Sequence, residues 1–369
     1  MGIYNLKKIK IAMILKNLEL QGISKVVVSY CEFLDKSKYE VVVISGTPVN
    51  VELKKKCEGF GVPVRVLPQK KKKPIQFYCS LFKTLKNENV DIVHVHGSSA
   101  TIVVEILVAT VLGIKYRIAH SHSTSNKNPQ VHKCLRPFLN ILCTDAISCS
   151  RDAGKWMFGR RHFTVLYNGI DLNEFLFLSD KRHEMRMKLG ISEDECVIGH
   201  VGRVNRGKNQ EFLVYIFDEF IKKNYKARLL MVGTGPDLCR LKEIVDSDEH
   251  SDRIILYGET DSVGDLYCAM DAFVFPSLYE GLPVTLIEAQ TCGLPCIVSD
   301  VITDEVLVSD SIKKLSLDAS PGIWADYIQE MIFNSRISDR NMISDNLRQF
   351  SYKKVKAQLE SLYLCIMGE

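Results

Sequence analysis

The segment Tyr279-Glu280-Gly281-Leu282-Pro283-Val284-Thr285-Leu286-Ile287-Glu288-Ala289 follows an apolar run and opens a helical pattern. Those residue types suit a phosphorylated ligand. Backbone N–H groups at a helix start attract phosphate. Leu282, Pro283, Val284 and Thr285 stand at that start, although Pro283 offers no N–H. Glu288, about one turn in, is placed to bridge the two hydroxyls of a ribose, as carboxylates do elsewhere. Glu280 precedes the turn, where it would meet a sugar hydroxyl or developing positive charge. Gly202-Arg203 with Lys208 sets two cations after a strand, and His120-Ser121-His122 sets two imidazoles after another. In parallel sheets such strand ends are where ligands sit.

Taken singly, these residues have plainer readings. Two glutamates eight apart are ordinarily solvated surface, and so are Arg203 and Lys208. Gly233-Thr234-Gly235 by itself is a strand-to-helix turn. His94 and His96 alternate on a strand and share one face, which reads as a structural pair rather than as ligands.

The elements that must position these groups alternate in type. Lys10 to Leu15, Tyr39 to Ser45, Val62 to Leu67, Asp91 to His96 and Tyr116 to Ala119 read as strands, with Asp145 to Cys149 and Phe163 to Leu166 completing a first series. Ser24 to Leu34, capped by Ser24 after a turn at Gln21-Gly22, Phe77 to Lys86 and Thr101 to Leu112 have helical spacing. The pattern restarts with the strands Cys196 to Gly202, Ala227 to Val232, Ile254 to Tyr257, Ala272 to Phe275 and Cys296 to Ser299. Asn209 to Phe220 and Thr285 to Thr291 are helices among them. Buried strands alternating with amphipathic helices imply two α/β domains with parallel, helix-covered sheets. The expected division is an N-terminal domain over 1–175, with Leu172 to Lys181 as linker, a C-terminal domain over 176–349, and a closing helix over 350–369.

The chain has 369 residues, 25% of them charged and 46% apolar, which excludes a disordered chain, a collagen-like repeat and a coiled coil. At about 150 residues per domain the length suits two domains. No run of about 18 uncharged apolar residues occurs; the segment Thr101 to Ile114 is broken by Glu105. The beginning of the sequence lacks a secretory pattern, so the expected place is the cytosol. The 12 cysteines form no C-x-x-C pair and are expected to be buried thiols, with zinc not expected. The net charge of +4 is uneven, positive over residues 1–180 and negative over the rest. The first half is therefore expected to face something anionic. Lys54-Lys55-Lys56 and Lys70 to Lys73 are the tight clusters, and they suggest peripheral contact with an anionic membrane surface.

The segment EGLPVTLIEAQTCGLPCIVSD, with Glu280-x7-Glu288, resembles the donor motif of retaining glycosyltransferases with the GT-B fold, specifically glycosyltransferase family 4. IGHVGRVNRGKN, LLMVGTGP and VLYNGID resemble further motifs of the family in the right order, with Tyr167 where the family often has Pro. The likeness covers nearly the whole chain. It implies two facing Rossmann-like domains with the donor between them, and a last helix, FSYKKVKAQLESLY, that crosses back to the first domain. It implies that Arg203 and Lys208, with Gly202, Gly233 and Gly235, bind the donor diphosphate beside Leu282 to Thr285, and that Glu288 holds the nucleotide. Glu280 and His122, with His120 second, are then the catalytic candidates. Gly22 resembles the glycine turn that lets the first loop approach the diphosphate, with Gln21 where the family has another Gly.

The resemblance implies transfer of a sugar from a nucleotide sugar, from the subgroup a UDP-sugar, to a hydroxyl of a lipid-linked polysaccharide unit. A fixed Arg, a Lys and a helix start would stabilise the leaving diphosphate, so neither metal nor other cofactor is expected. Metal-dependent transferases of the other common fold use Asp-x-Asp instead, a triplet not expected in this chain. Three other readings remain. An NAD-dependent oxidoreductase would need Gly-x-Gly-x-x-Gly, and Leu238 stands where the third Gly belongs. A GT-B epimerase or phosphorylase would isomerise or phosphorolyse its donor. A partner subunit would bind nucleotide without turnover.

Overall fold

The structure is a computed structural model, and it describes residues 8–19, 22–126, 128–223, 226–335, 337, 340 and 344–368. It divides into two units, Met1–Gly169 with Tyr352–Glu369, and Ile170–Ser351.

The first unit is built on a seven-stranded sheet: β1 (Ile9–Leu15), β2 (Tyr39–Gly46), β3 (Val64–Leu67), β4 (Ile92–Gly97), β5 (Tyr116–Ser121), β6 (Asp145–Ser148) and β7 (Thr164–Val165). The order is β3-β2-β1-β4-β5-β6-β7 and every pairing is parallel. Between the strands run α1 (Gly22–Phe33), α2 (Val51–Gly59), α3 (Pro74–Glu88), α4 (Val103–Val111), α5 (Pro129–Leu142) and α6 (Arg151–Phe158). Proline opens α3 and α5, where its missing N–H costs no hydrogen bond. Asn50 caps α2 and Ser150 caps α6 through their side-chain oxygens. Strand residues are buried on both faces, hence the near-continuous apolar runs. One core lies under α1 and α2, and a second lies under α3 to α6.

The second unit repeats the plan. After α7 (Ser179–Lys188) come β8 (Cys196–Val201), α8 (Gln210–Ile221), β9 (Ala227–Val232), α9 (Leu238–Asp246), β10 (Ile254–Gly258), α10 (Val263–Ala269), β11 (Ala272–Phe275), α11 (Val284–Thr291), β12 (Cys296–Ser299), β13 (Ile312–Leu315) and α12 (Pro321–Asn334). The parallel order β10-β9-β8-β11-β12-β13 reverses direction between β8 and β11, as the first sheet does between β1 and β4. Ligands of such sheets bind beyond the strands' carboxyl ends at that reversal. The closing helix α13 (Tyr352–Met367) belongs to the first unit, where Val355, Leu359 and Tyr363 are buried in the α1/α2 core.

The expected boundaries shift. The joins fall at Gly169/Ile170 and Ser351/Tyr352, since Ile170 N–H donates to Phe350 O at 2.8 Å. The supposed linker Leu172 to Lys181 is structured: Phe175 packs on Tyr267 with ring centres 6.1 Å apart, and α7 begins at Ser179. Ser24 does not cap α1. Its hydroxyl donates to Asn17 O and accepts from Glu19 N–H, tying down the preceding loop. Gln21 lies outside the described residues. Among the described residues no helix is long and apolar enough to cross a membrane.

Candidate functional site

The second unit gathers the charged residues of the sequence motifs at the carboxyl edge of β8, β9 and β11. After β8 the chain turns through Gly202, Arg203 and Val204 into a single 3-10 turn, Arg206–Lys208, whose Lys208 N–H is accepted by the Asn205 side chain at 3.2 Å. Val204 N–H donates to Thr234 O, and Arg206 N–H donates to Asp237 Oδ2 at 2.7 Å. These bonds lay the β8 and β9 loops against each other. The fit requires both glycines of the Gly-Thr-Gly turn. A Cβ on Gly233, whose φ is +137°, would stand 2.1 Å from Gly202 O, and one on Gly235 the same distance from Val204 O.

Buried His200 and Gln210 hold this loop from beneath. His200 Nδ1 lies 2.9 Å from Val274 O, so it carries the proton and donates. Nε2 then accepts from Gln210 Nε2 at 3.3 Å, and the same amide nitrogen donates to Arg203 O at 3.2 Å. Burial lowers the pKa of His200 to about 4, keeping it neutral in this role.

Lys208 and Glu280 meet. Lys208 Nζ donates to Glu280 Oε1 at 2.7 Å and lies 4.5 Å from the centre of the Phe275 ring. Both side chains are mostly buried, at 17% and 15% exposure, so the pair is screened less than a surface ion pair. Arg203 is exposed and has no ion pair with a described residue. Leu282 and Pro283 are buried and lead into α11, whose first N–H groups have no acceptor within the helix. Thr285 Oγ1 there is buried without a hydrogen-bond partner.

Glu288, one turn further, takes a hydrogen bond from the Tyr267 hydroxyl to Oε2 at 2.8 Å; Thr285 O lies 3.1 Å from the same hydroxyl. Burial, then the Glu288 charge, pushes the Tyr267 pKa well above the usual phenol range, so it remains a donor. Tyr267, Gln210 and His200 were missed in the sequence. His200 and Tyr267 are polar groups inside apolar stretches and Gln210 stands among polar neighbours at a helix start, so no spacing distinguishes them from core or surface.

The first unit gathers histidines. β4 and β5 run in register with His96 opposite His120, and His122 N–H donates to Gly97 O just past the strand end. His94, His96, His120 and His122 therefore form one ladder. His94 Nε2 lies 3.1 Å from His120 Nδ1, and His96 Nδ1 lies 3.0 Å from His122 Nε2. Rings within a strand stack at 4.2 Å (His94–His96) and 4.1 Å (His120–His122). His94 Nδ1 pairs with the Tyr363 hydroxyl of α13 at 2.8 Å. Burial lowers all four pKa values, to about 3 for His94 and His122 and well below the usual range for His96 and His120. The ladder is thus uncharged near neutrality, and its ring nitrogens are hydrogen-bonding groups. His96 Nε2, His120 Nε2 and His122 Nδ1 are buried without partners. His94 and His96 thus hydrogen-bond to the two candidate histidines from the neighbouring strand, a link visible in the sequence only once the β4/β5 register is known.

Gly22 is the first residue of α1, and a Cβ on it would meet nothing within 4 Å, so the space beside it is open. Two expectations need correction. Lys70 does not belong to an exposed cluster: its ammonium pairs with the buried Glu105 carboxylate and lies over the Tyr78 ring. Contrary to expectation, an Asp-x-Asp triplet does occur, at Asp246-Ser247-Asp248. It ends α9, which starts at the carboxyl edge of β9 and runs back along the sheet, so the triplet lies at the opposite edge from Glu280 and Glu288.

Comparison with known proteins adds the relatives. Residues 181–350 match the family model described as glycosyl transferases group 1, and residues 20–174 match glycosyltransferase family 4. The chain is 32% identical over 292 residues to the putative glycosyltransferase EpsF of Bacillus subtilis (strain 168), covering 76% of each. It is 29% identical over 382 residues, 97% of each chain, to the UDP-Gal:alpha-D-GlcNAc-diphosphoundecaprenol alpha-1,3-galactosyltransferase of Escherichia coli. The crystal structure of Anabaena Alr3699/HepE in complex with UDP and glucose has the same fold, with a TM-score of 0.80 at 17% identity over 96% of this chain and 99% of that one.

Proposed function

The chain belongs to glycosyltransferase family 4, within the capsule and exopolysaccharide group of GT-B enzymes, and from that premise we propose that it moves a sugar from a UDP-sugar to a hydroxyl of a lipid-linked glycan, retaining the anomeric configuration and using no metal. The observation that carries this reading is the pair of glutamates held in different ways. Glu280 is bound to a cation, Lys208, and Glu288 to a buried hydroxyl, Tyr267, on either side of the α11 start. The E. coli relative, by its name, uses UDP-Gal and a diphosphoundecaprenol-linked acceptor, and HepE holds UDP and glucose, which supports the donor and acceptor classes.

Each group then has a part. Departure of the nucleoside diphosphate develops negative charge, which Arg203, Lys208 and the first N–H groups of α11 stabilise where it forms. Lys208 has a guanidinium-free, compact charge that is held on Glu280 in this structure, and the incoming diphosphate competes with that carboxylate for it. Glu288 accepts from the ribose hydroxyls. His122, neutral because buried, hydrogen-bonds a sugar hydroxyl without adding charge near the developing oxocarbenium, and His120 lies behind it. The leaving phosphate takes the acceptor's proton as the new glycosidic bond forms on the same face.

The test is binding and slow hydrolysis of UDP-, GDP-, ADP- and dTDP-sugars, with and without EDTA, followed by transfer to a lipid-linked sugar acceptor and NMR of the glycoside formed. EDTA-resistant turnover of the UDP-sugar, with the donor's anomeric configuration in the product, is expected. An inverted product, or loss of turnover in EDTA, overturns the mechanism. Isomerised or phosphorolysed donor with no transfer reassigns the chain to the epimerase or phosphorylase reading.

A further inference from the structure

We infer that His96 is a positioning residue: it fixes the proton of His122 on Nδ1 and so makes that imidazole a hydrogen-bond donor to its ligand. The protons of the pair can be counted. His96 Nδ1 and His122 Nε2 lie 3.0 Å apart. A bond between two ring nitrogens needs one N–H and one bare nitrogen, and a neutral imidazole carries one proton. Both rings are kept neutral by burial. Of their two protons, one lies in the shared bond. The other sits on an outer nitrogen, either His96 Nε2 or His122 Nδ1.

The surroundings choose between these two places. His96 is 2% exposed; its ring stacks on His94 at 4.2 Å, tilts against His120 at 5.1 Å and lies 6.0 Å from the Tyr30 ring. None of these neighbours offers Nε2 an acceptor. Both nitrogens of His94 are engaged, Nδ1 with the Tyr363 hydroxyl and Nε2 with His120 Nδ1. The Tyr30 hydroxyl and His120 Nε2 are buried without partners, so neither is within hydrogen-bond reach of His96 Nε2. A proton there would be a buried N–H with no acceptor, an arrangement folded chains seldom tolerate. His122 differs. It stands one residue past the end of β5, half-buried at the carboxyl edge, where the ligands of parallel sheets arrive. Its Nδ1 has no partner among the described residues, and a ligand oxygen can accept from it. The network therefore assigns the proton to His122 Nδ1, with His96 Nδ1–H donating to His122 Nε2.

The consequence is chemical. With one nitrogen protonated and the other already accepting, His122 has no free lone pair. It donates to a sugar oxygen and cannot take the proton of the acceptor hydroxyl, which is left to the departing phosphate. His96 sets this polarity without touching the ligand. The inference rests on the sugar-transfer reading only for the identity of that oxygen, because the tautomer is measured without turnover.

The full chain is labelled with nitrogen-15 at histidine, and its imidazoles are observed by long-range proton–nitrogen correlation. His122 is assigned by the loss of its signals in His122→Gln. A protonated Nδ1 and a bare Nε2 are expected for His122. His96→Leu removes the donor, so part of the His122 population is expected to move its proton to Nε2. With UDP-glucose or UDP-galactose, kcat is then expected to fall about five- to tenfold, the scale of one hydrogen bond, at unchanged donor KM. His96→Asn, whose amide N–H can replace Nδ1–H, is expected to restore the tautomer and most of kcat. In the His122→Ala background His96→Leu is expected to cost nothing further. Tyr363→Phe, which touches the other pair of the ladder, leaves the His122 tautomer unchanged. Denaturant melts report folding, and the unsubstituted chain alone decides the tautomer. A His122 protonated on Nε2, or on both nitrogens, overturns the inference. So does an unchanged tautomer in His96→Leu, or a loss of kcat that persists without His122. The expected tautomer in a chain that transfers no sugar upholds the inference and removes the transfer reading.

Discussion

The two sheets share a strand order and differ in what they place at the carboxyl edge. The second sheet presents charge, and the charge is balanced: Lys208 on Glu280, with Glu288 held by a hydroxyl. The first presents four imidazoles, three of them almost fully buried, with no carboxylate among their hydrogen-bond partners. Burial without a counter-charge removes charge, because the ionised form has nothing to offset its lost hydration. Burial with a partner preserves it. One architecture thus provides a charged edge, suited to a diphosphate, and a neutral edge, suited to sugar hydroxyls.

The comparison breaks most readily at Lys208. If its ammonium stabilises the leaving diphosphate, Lys208→Met lowers kcat by about 10²–10³-fold, the usual effect of removing one preorganised donor. It also removes the Lys208 ammonium from the Glu280 carboxylate, so Glu280→Gln in the same background is expected to recover part of the stability but not turnover. Steady-state kinetics and denaturant melts of the single and double variants measure the two effects. Unchanged kcat in Lys208→Met would show that the pair is structural.

Glu288 sharpens the contrast from the binding side. Glu288→Ala is expected to raise the donor KM by about 10–50-fold, the scale of lost hydrogen bonds to a charged group, with a smaller change in kcat. His122→Ala in the first unit is expected to do the reverse, sparing donor affinity and lowering kcat. Isothermal titration with UDP separates them. Equal affinity losses in both variants would erase the division of labour between the edges.

The neutral edge has a pH signature. Unfolded, His94 titrates near 6.5; folded, it titrates at about 3. Between those values the unfolded chain binds the extra proton. Its contribution is therefore intact above about 6.5 and is lost as pH falls towards the folded value, at about 1.4 kcal/mol per pH unit. His94→Gln, which retains a polar partner for Tyr363, is expected to flatten the fall in stability between about pH 6 and 4 by one proton's worth. Denaturant melts across that range measure the slope. An unchanged slope would mean that the ladder is protonated in the folded state.

What the sequence revealed follows the same division. Residues that act through backbone geometry or charge near a turn leave local signals: the helix start at Val284, the Gly233-x-Gly235 contact with the β8 loop, and the cation after Gly202 were all legible in the sequence. Residues that act through tertiary partners left none. α2, α5 and α6 were missed because α2 is mostly charged, α5 begins with a proline and contains a second at Pro137, and α6 is a short helix fixed by the Ser150 cap. The histidine ladder needed the β4/β5 register, since His94 and His122 lie 28 positions apart and meet only through His96 and His120. Lys70 looked like one of four equal lysines until Glu105 was seen to face it.

Tyr267 gives the smallest expected effect and the finest distinction. Its hydroxyl has one proton, and Glu288 Oε2, at 2.8 Å and charged, outcompetes Thr285 O at 3.1 Å. Tyr267→Phe keeps the ring that packs on Phe175 and Phe273 and removes only the hydroxyl. If the bond merely stabilises the fold, the melt shifts and the donor KM does not. If it orients the carboxylate towards the ribose, the donor KM rises about three- to tenfold while kcat holds, the scale of one hydrogen bond. The rise should vanish in the Glu288→Ala background, where there is no carboxylate to orient. A KM increase that persists in that background would place the hydroxyl on the ligand itself, making Tyr267 a binding residue and the charged edge wider than the two glutamates define.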